Sequence, residues 1–478
     1  MADWEGTIEN LGSELVDFNG PDDPAIARNW PPRRKWAIIA ILSTMSFVTP
    51  LASSIFAPSV PQCLAEFGSN STILGSLVVS IYILGYAAGP LAIAPLSELY
   101  GRSPMYHATN IGFIIFTVAC AVSTNLTMLI CFRFLEGVAG SAVLTIGGGT
   151  VADLFVQEER GRALAFWTLG PILGPVIGPV AGSFLSASKG WRWVFWLLAI
   201  VSGSITASFL ILLRETSSTA ILRKQAKRAR KTTGNPHFRS CLDGDQATRQ
   251  AFHKSIIRPI KLLVGSPIVA SMSTFAAIIY GYLYLLFTSF TPVFEQSYGF
   301  SPDVVGLCYL GTGFGMIVSL FGFGVISDRM IKMKSIKNKG EMKPEYRLPP
   351  MILGGIFVPI GLLLYGWSAE KQVFWFVPIL GTAFFGFGFM ASFMPIQAYL
   401  VDVFTVHAAS ALAAATVWRS IVGALLPLAG LPMYNALGLG WGNTLLGLLG
   451  VAMIPVPFLL ITYGEQLRSN PRYRVDSW

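Results

Sequence analysis

The sequence predicts an all-α membrane protein with twelve transmembrane helices in two six-helix bundles. The first observation is composition: 53% of the 478 residues are hydrophobic, 12% are charged and the mean hydropathy is +0.59. A soluble globular protein carries roughly 25% charged residues. The second is that the apolar runs are long and continuous, without the two-residue alternation of barrel strands. The third is that the two halves of the chain carry acidic and basic residues at corresponding positions.

Twelve segments are long enough to cross a bilayer, which takes about 20 mostly apolar residues. We number them spans one to twelve. Spans one to six are predicted at residues 36–56, 73–93, 105–122, 127–151, 163–185 and 193–213. Spans seven to twelve are predicted at residues 267–290, 304–326, 350–367, 373–395, 408–432 and 443–463. The tails are residues 1–35 and 464–478, the bundles are 36–213 and 267–463, and the central loop is 214–266.

Lysine and arginine set the predicted orientation, because cytosolic loops carry an excess of both. With a cytosolic amino terminus, the short inner loops and tails hold seventeen of them, and the outer loops hold three, Lys189, Arg192 and Lys371. We therefore expect both termini to be cytosolic, in the plasma membrane or the vacuolar membrane. The net charge of +9 belongs to this asymmetry and needs no nucleic-acid partner.

The central loop carries twelve lysines and arginines, most densely in RKQAKRARK at residues 223–231. One interpretation, which we favour, is a disordered linker that follows the positive-inside rule. The other is a surface that binds anionic lipid head groups.

The two halves repeat a small–acid–base spacing at a cytosolic helix end. Ala94, Glu98 and Arg102 follow span two, and Gly324, Asp328 and Lys332 follow span eight. Each half also carries an aspartate further along the chain, Asp153 after span four and Asp402 after span ten. The pattern indicates parallel repeats related by an axis along the membrane normal.

Three ionisable residues other than histidine, cysteine or tyrosine lie well inside predicted spans: Arg133, Glu136 and Arg419. A charge at mid-bilayer is costly, so such residues face a cavity or a partner. Arg133 and Glu136 are three apart and can pair on one helix face. For Arg419, contact with a substrate, with backbone carbonyls or with a carboxylate of span ten stays open.

Span five contains LGPILGPVIGPVAG, with glycine at positions 170, 174, 178 and 182 and proline after the first three. Residues four apart lie on one slowly drifting stripe of a helix. Small residues in such a stripe let a partner helix approach closely. The prolines bend or loosen the helix, which neighbouring spans can tolerate.

Over residues 36–463 the chain resembles the major facilitator superfamily, and more closely its twelve-span drug:proton antiporters common in fungi. The loop signature G-x-x-x-D-R-x-G-R keeps Gly101 and Arg102 in the first half, where Ala94, Glu98 and Leu99 depart from it. In the second half it keeps Gly324, Asp328 and Arg329. The span-four signature R-x-x-Q-G appears as Arg133, Glu136 and Gly137, with glutamate for glutamine. The span-five antiporter signature appears as Gly170, Gly174, Pro175 and Gly178, and Gly182 extends the stripe.

The resemblance implies the major facilitator fold and an exporter of small lipophilic compounds, driven by protons moving inward. It implies that Arg133 takes part in proton coupling, for which we also consider Glu136, and that the glycine stripe seals against span eight. An importer or facilitator of polyamines, sugars or other nutrients is the alternative, and a receptor or enzyme is disfavoured because no catalytic constellation, metal-ligand cluster or phosphate loop is present. We expect a monomer without cofactor or metal, surrounded by membrane lipids.

Two further groups of residues follow. A cytosolic gate is predicted from Glu98, Gly101, Arg102, Asp153, Asp328, Arg329, Lys332 and Asp402. When this side is closed, we expect Arg102 to pair with Asp153, Lys332 to lie near Asp402, Glu98 to meet the start of span eleven and Asp328 the start of span five. Spans seven and ten are rich in tyrosine and phenylalanine, which suit lipophilic ligands. The candidate substrate residues are Tyr280, Tyr284, Phe384, Phe387 and Arg419.

Overall fold

The computed structural model of the chain describes residues 15–242, 248–337, 343–404 and 408–470. Within those ranges, the side chains of 157, 158, 160, 161, 165, 248–256, 323–332, 334, 335, 337 and 409 lie outside the description. The predicted all-α architecture is confirmed, since long apolar helices make up both halves of the chain.

The amino-terminal half holds six long spans. They are Pro32–Ser54, Thr72–Tyr100, Arg102–Ala121, the pair Leu126–Gly140 and Ala142–Leu154, then Gln157–Lys189 and Arg192–Leu212. Short helices Ala27–Asn29, Ala57–Ser59 and Val60–Glu66 flank span one. Span five is one continuous helix despite Pro171, Pro175 and Pro179. Its prolines therefore do not break the helix.

The carboxy-terminal half begins with span seven, Pro267–Tyr298. The short helices Pro302–Val305 and Gly306–Cys308 lead into span eight, Tyr309–Lys337. Pro344–Arg347 precedes span nine, Pro349–Glu370, and span ten is Phe376–Phe404. The remaining helices are Ala408–Met453 and Pro455–Ser469.

Spans eleven and twelve form one apolar segment that reverses direction at a single glycine. The described residues contain eleven segments long and apolar enough to cross a membrane, and the last covers 60 residues, Ser410–Ser469. At 1.5 Å per residue this is about 90 Å of helix, three times the bilayer core. Gly438 has a φ of +80°, a conformation that favours glycine. Beyond it, the Asn443 amide oxygen accepts a hydrogen bond from the Tyr434 hydroxyl at 3.2 Å, so the chain has turned back and this segment is long enough for two of the predicted spans.

The central loop forms a small loop subdomain, so the favoured prediction of a disordered linker is wrong for residues 218–242. Helix Ser218–Thr233 turns Leu222, Ala226 and Ala229 inward, onto Val16 and Phe238. The strands β1, Leu15–Val16, and β2, Arg239–Ser240, pair in parallel and fasten the amino-terminal tail to this loop. A further helix, Thr248–Gly265, leads to span seven. The apolar face opposite the cations provides the core that a disordered chain lacks.

Candidate functional site

The predicted pair of Arg133 and Glu136 is present and completely buried. Arg133 Nη1 lies 3.0 Å from Glu136 Oε2, and neither side chain has exposed surface. Glu136 Oε1 also accepts a hydrogen bond from the Thr117 hydroxyl at 2.9 Å. Span four therefore carries a desolvated ion pair that reaches span three. Paired and hydrogen-bonded charges are the form in which buried ions are tolerated.

Arg133 also binds the backbone of spans one and two. Nη1 donates to the Ala52 carbonyl at 2.9 Å, Nη2 to the Ser53 carbonyl at 3.4 Å, and Nε to the Val78 carbonyl at 3.3 Å. The guanidinium carbon lies 4.6 Å from the centroid of the Tyr82 ring. One side chain thus ties together three helices of the amino-terminal half.

A second cation, Arg419, lies among aromatic rings where the two halves meet. Its guanidinium carbon is 5.0 Å from the centroids of both Tyr280, in span seven, and Phe393, in span ten. One turn further along span eleven, Gly423 approaches the Tyr280 ring and Ile83 of span two. Within the described part of the chain Arg419 takes part in no ion pair or hydrogen bond, and its Nε is buried without a partner. Of the three contacts left open for Arg419, those with backbone carbonyls and with a carboxylate of span ten are not observed among the described residues.

The aromatic candidates divide into two groups. The Tyr280 and Tyr284 rings are 5.1 Å apart, and the Tyr284 hydroxyl lies 2.8 Å from Ser53 Oγ of span one. Phe384 and Phe387 instead pack on Phe357 of span nine, at 5.8 and 4.8 Å between centroids. These two phenylalanines therefore lie on a different face of span ten from the ring that contacts Arg419, and their contact with a substrate stays a prediction.

Phe389 and Phe393, which were not among the predicted substrate residues, are the rings of span ten that lie near Tyr280 and Arg419. Their rings stack at 5.5 Å with an interplanar angle of 10°, and Phe389 lies 6.4 Å from Tyr280. The feature of the sequence that could have identified them is their spacing of four residues, which places both rings on one face of span ten.

The glycine stripe of span five packs against span one, so the expected partner, span eight, was wrong. A Cβ on Gly174 would lie 2.7 Å from the Phe47 carbonyl oxygen, and one on Gly182 would lie 1.9 Å from that of Ile55. Gly170, beside Pro171, and Gly178, after Pro175, meet the same helix at the backbone of Phe47, Leu51 and Ile55.

Span eight contacts a different face of span five, and there the glycines come from span eight and the turn before it. Gly306 approaches the Pro179 carbonyl and Ser183, and Gly313 approaches Val176. Ser183 Oγ donates to the Asp303 carbonyl at 3.1 Å. Spans five and eight are both rich in small residues, and the sequence alone did not indicate which glycine-rich face packs against which neighbouring helix.

The predicted pair of Arg102 and Asp153 is present, at the end of the amino-terminal half that is predicted to be cytosolic. Arg102 Nε lies 3.6 Å from Asp153 Oδ2, and Nη1 donates to Ser97 Oγ at 2.7 Å. Ser97, Arg102 and Asp153 belong to spans two, three and four, so these contacts join three helices within one half.

Glu215, which sequence analysis did not include in the gate, caps span three. Its carboxylate accepts from the backbone N–H of Arg102 at 2.8 Å and of Ser103 at 3.2 Å. A carboxylate is favoured at a helix amino terminus. Gly101 is required here because its φ is +99° and a Cβ would lie 2.3 Å from Glu215 Oε2. The feature of the sequence that could have indicated this role is an acidic residue, Glu215, at the start of the basic central loop.

In the second half, Asp402 pairs with Arg347, which immediately precedes span nine. The prediction placed Lys332 beside Asp402, whereas Arg347 takes the place that Arg102 has before span three. The side chains of Asp328, Arg329 and Lys332 lie outside the described residues. The Glu98 side chain is exposed, and residues 405–407 at the start of span eleven also lie outside the description. The contacts predicted for Glu98 and Asp328 stay predictions.

In the described part of the chain, no group of three or more histidine, cysteine, aspartate or glutamate side chains is arranged to hold a metal. None of the five cysteines, all of which lie in the described ranges, forms a disulfide.

Two halves of long apolar helices, with a buried ion pair in one and a cation among rings between them, are the architecture of a polytopic membrane protein. The model of the Major Facilitator Superfamily matches residues 42–427, and the chain belongs to this family. It is an integral membrane protein of a family of transporters rather than enzymes.

Curated fungal proteins resemble the chain over nearly its whole length. It is 54% identical over 468 residues to the MFS-type transporter tndD of Aspergillus flavipes, covering 97% of this chain and 87% of that protein. It is 52% identical over 468 residues to the efflux pump radE of Floropilus chiversii, covering 98% and 87%.

Solved structures share the fold. The xylose transporter XylE of E. coli, in a partially occluded inward-open conformation, has a TM-score of 0.65 at 17% identity and covers 90% of this chain and 98% of its own. A bacterial homologue of the lysosomal transporter Spinster has a TM-score of 0.63 at 14% identity, covering 92% and 100%.

Proposed function

We propose that the protein exports small lipophilic compounds in exchange for protons that move inward. The observation that carries this proposal is the buried pair of Arg133 and Glu136. Glu136 is a titratable group with no exposed surface, and its charge is balanced by a single arginine. A carboxylate held in this way is suited to take up a proton only when the surrounding helices move.

Proton uptake at Glu136 would change how span four holds its neighbours. A neutral carboxyl no longer balances Arg133, which then depends on the carbonyls of Ala52, Ser53 and Val78 alone. Ser53 also contacts Tyr284 of the other half through its hydroxyl. The pair is therefore two contacts away from the interface between the halves.

The substrate site we propose lies at that interface, around Tyr280, Phe389, Phe393 and Arg419. Ring faces suit lipophilic compounds with planar groups. The position agrees with a midplane site between two bundles that rock against each other. Tyr284 lies at the edge of this site, next to Tyr280.

The direction of transport is argued from two sources. A relative that is 52% identical is an efflux pump, and span five carries the antiporter signature of the family. A proton moving through 100 mV releases about 2.3 kcal/mol, which supports roughly a 50-fold gradient. We propose further that the protein acts as a monomer in the plasma or vacuolar membrane, with both termini cytosolic and lipids around both bundles.

Transport into inside-out vesicles with an acidic lumen tests the function. Proton-driven accumulation of compounds from a lipophilic panel is the expected result, and dissipating the pH gradient should abolish it. Accumulation only when protons and substrate move the same way would instead indicate a symporting importer of nutrients.

Three variants test the coupling pair. Glu136→Gln should lose proton-driven accumulation yet retain exchange of labelled for unlabelled substrate. Arg133→Lys should be intermediate, because lysine cannot reproduce the fork that binds carbonyls and carboxylate together. Glu465→Gln, which removes a carboxylate paired with Lys343 at an exposed position, serves as the control. Unchanged proton dependence in Glu136→Gln would exclude Glu136 as the proton carrier.

A further inference from the structure

Arg419 is a cation near the middle of the membrane whose counter-charge the described part of the chain does not supply. It is the twelfth residue of the helix that begins at Ala408, about 17 Å along a bilayer core of about 30 Å. Its side chain is half-buried and makes no ion pair or hydrogen bond with any described residue. An arginine at this depth is costly without an anion or an accepting group.

The carboxylates that share its surroundings are already engaged or distant. Glu136 is bound by Arg133 and by Thr117 inside the other half. Glu295 shares span seven with Tyr280 but lies fifteen residues further along, roughly 22 Å away at 1.5 Å per residue. Asp402, in span ten, is bound by Arg347. Among the described residues no carboxylate is free to pair with Arg419, which leaves a bound ligand as the source of a negative charge.

The rings around Arg419 define the rest of that ligand. The guanidinium carbon lies over both the Tyr280 and the Phe393 ring at 5.0 Å, and Phe389 extends the stack by one ring. The guanidinium carries five N–H donors, and none of them is hydrogen-bonded to a described residue, so they are left to an incoming group. A carboxylate or phenolate matches that fork, and an attached planar system gains ring contacts.

We infer that Arg419 is the anion-binding group of the substrate site, and that the preferred substrate is an aromatic weak acid carried as its anion. The inference rests on the proposed function, because it names the substrate class of the same transporter. A lipophilic cation would meet a like charge at this position, and a neutral compound would gain the ring contacts alone.

A matched pair of probes tests the inference: 1-pyrenebutyrate, and its methyl ester, which has the same rings without the charge. Equilibrium binding is measured by energy transfer from tryptophan, with the full-length protein in lipid nanodiscs. The wild-type protein should bind the acid more tightly than the ester. Arg419→Gln should weaken acid binding about 10- to 100-fold, the range for a hydrogen bond to a charged group, and change ester binding less than about twofold.

Two further variants make the result interpretable. Arg419→Lys keeps the charge without the fork and should retain part of the preference for the acid. Arg258→Gln removes an exposed cation outside the spans and should leave both affinities unchanged. Equal binding of acid and ester by the wild-type protein would overturn the inference, as would equal loss of both probes in both Arg419 variants, which would mark a packing role.

The binding assay uses no proton gradient, so its outcome is independent of the vesicle experiment. Proton-driven export without preferential binding of the acid would refute the inference about Arg419 and support the proposed function. Selective binding of the acid without proton-driven flux would remove the function and leave the anion site.

Discussion

The hydroxyl groups of Ser53 and Tyr284 lie 2.8 Å apart, and this hydrogen bond joins span one of the first half to span seven of the second. Ser53 also supplies a carbonyl to Arg133, while Tyr284 lies against Tyr280, which faces Arg419. The proposed coupling pair of Arg133 and Glu136 and the proposed substrate site are thereby connected through a contact across the interface. A change at either end has a short physical path to the other.

Tyr284→Phe removes that hydrogen bond and keeps the ring. We expect substrate binding to change little and the rate of proton-driven transport to fall several-fold, since a buried hydrogen bond contributes about 0.5–1.5 kcal/mol. The measurement is initial rate against substrate concentration in vesicles. Tyr298→Phe is the control, because its hydroxyl binds the Ser368 carbonyl within one half. Equal effects of both variants would argue against a special role for the contact between the halves.

Gly174→Val places side-chain atoms where the backbone of span one lies, because a Cβ alone would be 2.7 Å from the Phe47 carbonyl oxygen. Overpacking of this kind costs roughly 1–3 kcal/mol or more. We expect a lower thermal unfolding temperature in detergent and loss of transport. Gly148→Ala is the matched control, since a Cβ at Gly148 has no atom within 4 Å. Wild-type stability in Gly174→Val would contradict the close approach of spans one and five.

Asp402 should be coupled energetically to Arg347. Both side chains are about a quarter exposed, so we expect a coupling of about 0.5–1 kcal/mol, typical of a partly solvated pair. A double-mutant cycle with Arg347→Gln and Asp402→Asn, read by thermal unfolding, measures it. Additive effects for that cycle, with coupling between Lys332→Gln and Asp402→Asn instead, would restore the pairing predicted from the sequence.

Leu222→Asp should open the loop subdomain, because Leu222 has no exposed surface and packs with Val16 and Phe238. We expect faster trypsin cleavage within Arg223–Lys231 and release of the amino-terminal tail from the loop. Lys224→Asp changes an exposed residue of the same helix and should leave that core intact. Cleavage in inside-out vesicles but not in intact cells would agree with a cytosolic loop, and the reverse would refute the predicted topology.

Much of the site was predictable because it depends on contacts within one helix or on a repeated position. Arg133 and Glu136 are three residues apart, so helix geometry alone brings them together. Arg102 and Asp153 could be paired because the same trio and later aspartate occur in both halves. The pairing of Arg347 with Asp402 was not predicted, because Arg347 is not part of the repeated trio. The tertiary structure brings it to Asp402 just before span nine.

The sequence by itself determined the class of protein, the membrane spans, the internal duplication and the residues too costly to leave unpaired in a bilayer. These follow from composition, from periodicity and from the free energy of burying charge, none of which needs a partner helix to be known. Only the tertiary structure decided which helix meets the glycine stripe of span five, which phenylalanines of span ten face Arg419, and that Arg419 has no counter-charge among the described residues. Each of these depends on how a helix is rotated about its own axis and which neighbour it meets. An apolar helix with small residues on several faces leaves that rotation open until all its neighbours pack together.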